Sequence, residues 1–283
     1  MKITLLIDNE AHPQQARLHH EHGLSMYFQA DGLHWLLDTG NSPLFIENAQ
    51  KLGIKLEDID YVFLSHGHKD HTGGIEAFLQ INSKATVLIS EQVRHKKYYS
   101  YRHESPRDIT LQHQVLEQYA PRVRYIKQSQ WLSDKLALVT HLPQNHPQPR
   151  ANSTLYAQYG DGKRLPDTFD HEMALAVKEG DGLIVFSGCA HNGLLNTIEA
   201  CSAYCKTNKI KACIGGAHLP NKTESSAWEL NEEIRDLGRG LLKTYPEMQL
   251  ITGHCTGKHA QGLLKEVMQQ QVQTFYSGCT LEV

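Results

Sequence analysis

Short apolar runs alternate with stretches of helical period along most of this chain, and each run stops at a polar or glycine turn. ITLLI at 3–7 reads as a first strand ending at Asp8-Asn9, MYFQA as a second, and HWLLDTG as a third ending in Asp38-Thr39-Gly40. Ser42 and Pro43 then suit the N-cap and first position of a helix with Leu44, Phe45, Ala49 and Leu52 on one face and Gly53 closing it. The pattern further predicts a helix over 75–79 and strands over 85–90 and 136–140. EMALAVKEGDGLIVFSG reads as two strands around a tight turn. Helices follow at 194–206, 224–242 and 258–270, with strands IKACI and MQLIT between them. Trp228, Ile234, Leu237 and Leu241 form the core stripe of the 224–242 helix. Strands interleaved with helices predict an α/β (α+β) layered fold.

One stretch breaks the pattern. Residues 91–130, with RHKKYYSYRHESPRD near their start, mix cations and tyrosines without clear periodicity. They read either as a solvated insertion or as a cap offering cations and aromatic faces to a substrate. The expected organisation is one domain over 1–283 with this inserted cap-like segment.

Composition narrows the classes. No apolar run is long enough for a membrane span, and MKITLLIDNE meets acidic residues too soon for a signal peptide, so a cytoplasmic location is expected. A formal charge of −3 gives no global reason to expect nucleic acid as a partner. Six cysteines in 283 residues make no disulfide framework and no paired zinc knuckle; Cys201, Cys205 and Cys213 read as buried apolar side chains. The 18 histidines are the unusual count.

They concentrate where apolar strands meet glycine turns. In YVFLSHGHKDHTGG, His66, His68, Asp70 and His71 fall within six residues between a buried strand and a helix opened by Gly73-Gly74. Alternation would send His66 and His68 the same way, and the turn would bring round Asp70 and His71. Polar side chains at the end of a core strand need a partner, and a metal site for two ions is the expectation. His191, His218 and His254 recur in the same context, and strand ends converging on one sheet edge are a usual place for an α/β active site.

SHGHKDHTGG has the HxHxDH form and resembles the metallo-β-lactamase superfamily. IDN, EHGLS, LLDTG, FSGCAHNG, IGGAHL and HCTG make the chain similar to a narrower group, the dihydropterin–ribofuranosylaminobenzene-phosphate synthases of methanopterin biosynthesis. The resemblance implies a four-layer αβ/βα sandwich. It also implies that His66 and His68 bind one metal, and Asp70, His71 and His254 the other. For the third ligand of the first site His191 is chosen over His171 and Cys189; Cys189 stands where the superfamily carries a bridging aspartate. Asp38 is expected to orient a ligand histidine.

Histidine nitrogens with one carboxylate suit zinc and also accept iron or manganese. The expected chemistry is hydrolysis of a phosphoester or similar polar ester by a metal-bound hydroxide, with Asp70 and His218 as catalytic groups. Asp8, Asn9, His22, Arg94, Lys97 and Arg102 are the candidates for contacting a small, phosphorylated or pterin-like substrate. The alternatives are a transferase of the synthase type and a non-catalytic metal- or ligand-binding module; a homo-oligomer is compatible with either.

Overall fold

The computed structural model describes residues 1–160 and 162–283. They form two compact units, each with its own sheet. The first comprises Met1–Lys127, Thr154–His171 and Tyr276–Glu282; the second comprises Gln128–Ser153, Glu172–Phe275 and Val283.

In the first unit, a seven-stranded sheet runs Thr280–Glu282, Lys2–Ile7, Ser25–Ala30, Leu33–Leu37, Tyr61–Phe63, Thr86–Ser90, Val123–Ile126. The first four strands pair antiparallel and the remainder parallel. Five consecutive buried positions in Lys2–Ile7 show why that strand is apolar on both faces. Trp35 stacks between Phe28 and Tyr61 and fixes the register of three strands. The helices Leu44–Lys51 and Ile75–Ile81 bury Phe45, Ala49, Ile75 and Phe78 against the sheet. Pro43, not Ser42, takes the cap position, and Ser42 Oγ accepts only from the Leu44 N–H at 3.3 Å. Gly74 is needed for close approach: a Cβ there would lie 2.4 Å from the Thr39 carbonyl oxygen.

The stretch 91–130 is more regular than its sequence suggests. Lys97–Ser100 and Arg107–Asp108 join Leu155–Gln158 and Arg164–Pro166 in a four-stranded sheet, His113–Gln118 is a helix, and Val123–Ile126 completes the main sheet. Its strands are short, so the period-two signal has little length in which to show.

In the second unit, a seven-stranded sheet runs Val272–Thr274, Gln249–Thr252, Ile210–Ile214, Gly182–Phe186, Ala174–Glu179, Leu136–Val139, Gln130–Trp131. Glu179 pairs with Gly182 across the expected hairpin turn. The helices Leu194–Cys205, Asn231–Thr244 and Lys258–Met268 pack on a core that includes Cys201, Cys205 and Cys213. Burial drives the Cys213 thiol up to about 12, the behaviour of a small apolar core group. The long helix starts at Asn231, not at 224. Residues Asn221–Thr223 and Ser226–Ala227 form a hairpin instead, and Trp228 lies before the helix under the Lys222 ammonium. Ile234 and Leu241 keep their core roles. No described helix is long and apolar enough to cross a membrane.

Candidate metal centre

In the first unit the His66–His71 stretch leaves its strand at Phe63 and turns into the short helix Lys69–Thr72. His66, His68 and His71 are buried. Strand alternation does not bring His66 and His68 together, because the chain is already out of the sheet. They meet through different ring atoms, His66 Nε2 lying 3.1 Å from His68 Nδ1. Two nitrogens sharing one tetrahedral cation at 2.0–2.1 Å would be separated by about 3.3 Å. Gly67 permits this hairpin-like approach, since a Cβ there would lie 2.6 Å from the Tyr98 ring. The inserted segment holds the loop down: Lys69 N donates to Ile109 O at 2.8 Å, and Leu111 N to Gly67 O at 3.1 Å.

Asp38 organises the cluster. Its buried carboxylate accepts from Ser65 N (2.8 Å), Ser65 Oγ (2.8 Å) and His71 Nδ1 (2.6 Å). Because Ser65 Oγ gives its proton to Asp38, it is left to accept one from His66 Nδ1 at 2.9 Å. Both imidazoles are thereby held with Nδ1 protonated and the Nε2 lone pair presented, the tautomer a metal ligand requires. Burial, reinforced by His71, His68 and His171, lowers the His66 pKa well below its ordinary value. Burial also lowers that of His68, against the opposing pull of Asp167. Buried imidazoles, two of them with burial disfavouring the charged form, fit a divalent cation on the chemistry of the donor set.

Asp70 faces His71 Nε2 at 3.6 Å and His22 Nε2 at 3.3 Å. Asn9 joins this group: its Nδ2 lies 3.1 Å from His22 Nδ1, and its Oδ1 accepts from Gly23 N. Asp8 is buried behind them, its carboxylate accepting from Glu10 N at 2.9 Å, the geometry of a turn-forming residue. Among the cations, Arg94 sits over the Tyr125 ring, Arg102 donates to Thr154 Oγ1, and Lys97 is exposed on its strand.

His171 is built differently from the other histidines. Its Nδ1 accepts from Gly67 N (3.1 Å) and its Nε2 donates to Asp167 (3.1 Å), so both ring nitrogens are committed. Asp167, buried, is held well below the usual carboxylate range because His171 and His68 outweigh its desolvation. The pair fixes the peptide between His66 and His68, a positioning arrangement that gave no signal in sequence.

In the second unit three strand-end turns converge. Gly216 N donates to Gly188 O at 2.8 Å, Gly257 N to Leu219 O at 3.0 Å, and Ala217 N to Thr256 Oγ1 at 2.8 Å. His191 and His218 are brought ring to ring, centroids 4.0 Å apart. Cys189, His218 and Cys255 offer ligand atoms within 4.8 Å of one another. Cys255 Sγ also accepts from His218 N at 3.3 Å. Two residues overlooked in the sequence secure His191. Glu172 accepts from the backbone N–H groups of His191 (2.7 Å) and Asn192 (2.8 Å), and Asn152 Nδ2 donates to His191 O (2.8 Å). Asn152 Oδ1 lies 3.3 Å from His191 Nδ1, a weak version of what Asp38 does for His71. His218 and His254 hold left-handed backbone, φ +46° and +50°, as does Asp38 at +57°. Such strain is retained where side-chain placement demands it.

These arrangements predict opposite outcomes for two histidines. His191→Ala should lower the metal content of the purified protein, whereas His171→Ala should leave it close to stoichiometric while weakening affinity about 10–100-fold. Elemental analysis of both variants, with a chelator competition, reads the difference.

Residues 21–149 match the family model of the metallo-β-lactamase superfamily, and the chain carries a domain of that superfamily. Its fold is the one found in that superfamily's metal-dependent hydrolases: the structure matches Tm1679, described as a metal-dependent hydrolase of the β-lactamase superfamily, with a TM-score of 0.80. That match has 26% identity and covers 100% of this chain and 99% of the other. Two relatives from Methanocaldococcus jannaschii extend the similarity. One is the uncharacterized protein MJ0448, 23% identical with 94% of each chain covered. The other is 7,8-dihydropterin-6-methyl-4-(β-D-ribofuranosyl)-aminobenzene-5′-phosphate synthase, 24% identical over 91% of this chain and 88% of its own. The narrower similarity read from the motifs is thus matched by a relative bearing that name.

Proposed function

We propose that this protein is a metal-dependent hydrolase of small phosphoesters or similar polar esters. His66, His68, Asp70 and His71 are proposed to hold the ions, zinc being the cation this donor set suits best, with His191 and His254 as the further ligands implied by the superfamily pattern. The observation that carries the reading is the Asp38–Ser65 network, which occupies Nδ1 of two buried imidazoles and leaves their Nε2 atoms for a cation. When bound, a divalent cation supplies Lewis acidity to a phosphoryl oxygen and brings the pKa of water down toward about 7. Asp38 keeps the histidines oriented throughout. Asp70 Oδ2 takes the proton of the attacking water, and His22 Nε2, at 3.3 Å, shares it. His218 is assigned to the leaving group, which it protonates.

A second reading, formation of a dihydropterin-6-methyl aminobenzene phosphate, is favoured by the similarity to the synthase over 91% of this chain. Hydrolysis ranks first because the donor set explains it without a second substrate. A panel of phosphomonoesters and phosphodiesters decides between them. The hydrolase releases alcohol from at least one member, at a rate that a chelator abolishes and added zinc or manganese restores. A strict transferase leaves the whole panel untouched and instead joins an aminobenzene phosphate to an activated pterin.

A further inference from the structure

The second unit contains a cavity of about 320 Å³. It lies between the first turn of Leu194–Cys205, the Ile234 and Leu237 side of Asn231–Thr244, and the proline-rich connection 146–150. Leu194, Leu219, Ile234 and Leu237 make its wall largely apolar. One group is out of keeping with that wall. Glu229 is nine-tenths buried, and its Oε1 accepts from Arg150 N at 2.7 Å. The backbone N–H groups of Ala151 and of Glu229 itself also donate to this carboxylate, and among the described residues no cationic side chain pairs with it.

The neighbouring cations are engaged elsewhere. Arg150 directs its guanidinium to Glu233, Arg239 takes Asp236 at 2.7 Å, and His146 takes Glu199 at 2.7 Å. A buried carboxylate without a cationic partner is costly, and a bound cation would offset that cost. Burial pushes the Glu229 carboxyl up against the opposing pull of its backbone donors, and the charge of Glu233 adds to the rise.

We propose that this cavity binds a small organic amine or amidine whose apolar or aromatic body fills the space and whose N–H groups donate to the Glu229 carboxylate. The volume falls within the range of small-molecule pockets, which pair apolar walls with a few placed polar groups. The lining favours a cation: Glu233 is paired with Arg150 and Asp236 with Arg239, which leaves Glu229 as the lining carboxylate without a cationic side chain against it. An anion would meet the Glu229 carboxylate. Gly193 and Ala217 also line the cavity, so an occupant would rest against the turns that carry His191 and His218. The site needs no metal and stands apart from the hydrolase reading.

Calorimetric titration of the full-length protein with benzamidine, benzyl alcohol and benzoate tests this. Benzamidine should bind saturably at one site, about tenfold or more tighter than benzyl alcohol, and benzoate should not bind. Glu229→Gln should cost benzamidine about tenfold or more and leave benzyl alcohol unchanged. Leu237→Trp, which fills the cavity, should remove binding of both, with an unchanged circular-dichroism melt confirming the fold. Absence of saturable benzamidine binding overturns the proposal. So does equal affinity for benzamidine and benzyl alcohol, or benzamidine binding that survives Leu237→Trp. If Glu229→Gln does not fold, the probe series on the wild type and Leu237→Trp decide alone.

Discussion

Alanine at both His66 and His71 leaves a protein that purifies without stoichiometric metal and loses turnover by on the order of a thousandfold, about 4 kcal/mol of transition-state stabilisation. The two side chains lie with their ring centroids 4.2 Å apart, and Asp38 and Ser65 direct the Nε2 atoms of both. Removing them together takes away the two donors with the best-defined tautomers. It also leaves Asp38 holding Ser65, so the loop keeps part of its support. The measurement is metal per chain by elemental analysis beside the rate on the best substrate of the phosphoester panel. A double variant that retains its full metal complement would remove the motif from the ligand set, and the hydrolase reading with it.

Asp38→Ala is expected to damage both fold and site. The substitution strands the Ser65 N–H and the His71 Nδ1–H in a buried place and releases the Ser65 hydroxyl from its acceptor. Each buried, unsatisfied donor costs about 1–3 kcal/mol, so a loss of about 3–5 kcal/mol is expected in urea unfolding. Asp38→Asn separates the two effects. It keeps the shape but replaces one acceptor oxygen with a donor, and the hydroxyl or the imidazole must rotate or change tautomer. Metal affinity should fall about 10–100-fold with a smaller loss of stability. If Asp38→Ala unfolds within 1 kcal/mol of the wild type and binds metal equally well, Asp38 is not the organiser of the cluster.

Strands and glycine turns were legible from the chain because their signals are local: apolar runs, a hairpin turn at 179–182, and histidines after glycine. His66, His68, Asp70 and His71 were legible for the same reason, being contiguous. Asp38 was anticipated as an orienting group, and its bond to His71 agrees. What stayed hidden acts across distance. Glu172 and Asn152 secure the His191 turn from 19 and 39 residues away, and Asp167–His171 grips the Gly67 peptide from about a hundred. A lone acid or amide in a sequence gives no sign of the backbone it will serve. The helix expected from 224 failed differently. Its apolar spacing was real, but residues 221–227 satisfied their backbone in a hairpin before the helix began. The relation of Gly67 to the Tyr98 ring could be seen only once the inserted segment was folded over the motif.

The left-handed backbone at Asp38, His218 and His254 also bears on how these positions can change over generations. Most L-residues resist that conformation, while asparagine and glycine tolerate it. Aspartate and histidine codons each reach asparagine by a single base change. A lineage losing metal at these positions would therefore pass most easily through asparagine. Relatives that have abandoned the chemistry should still carry asparagine or glycine there, a backbone imprint outlasting the function.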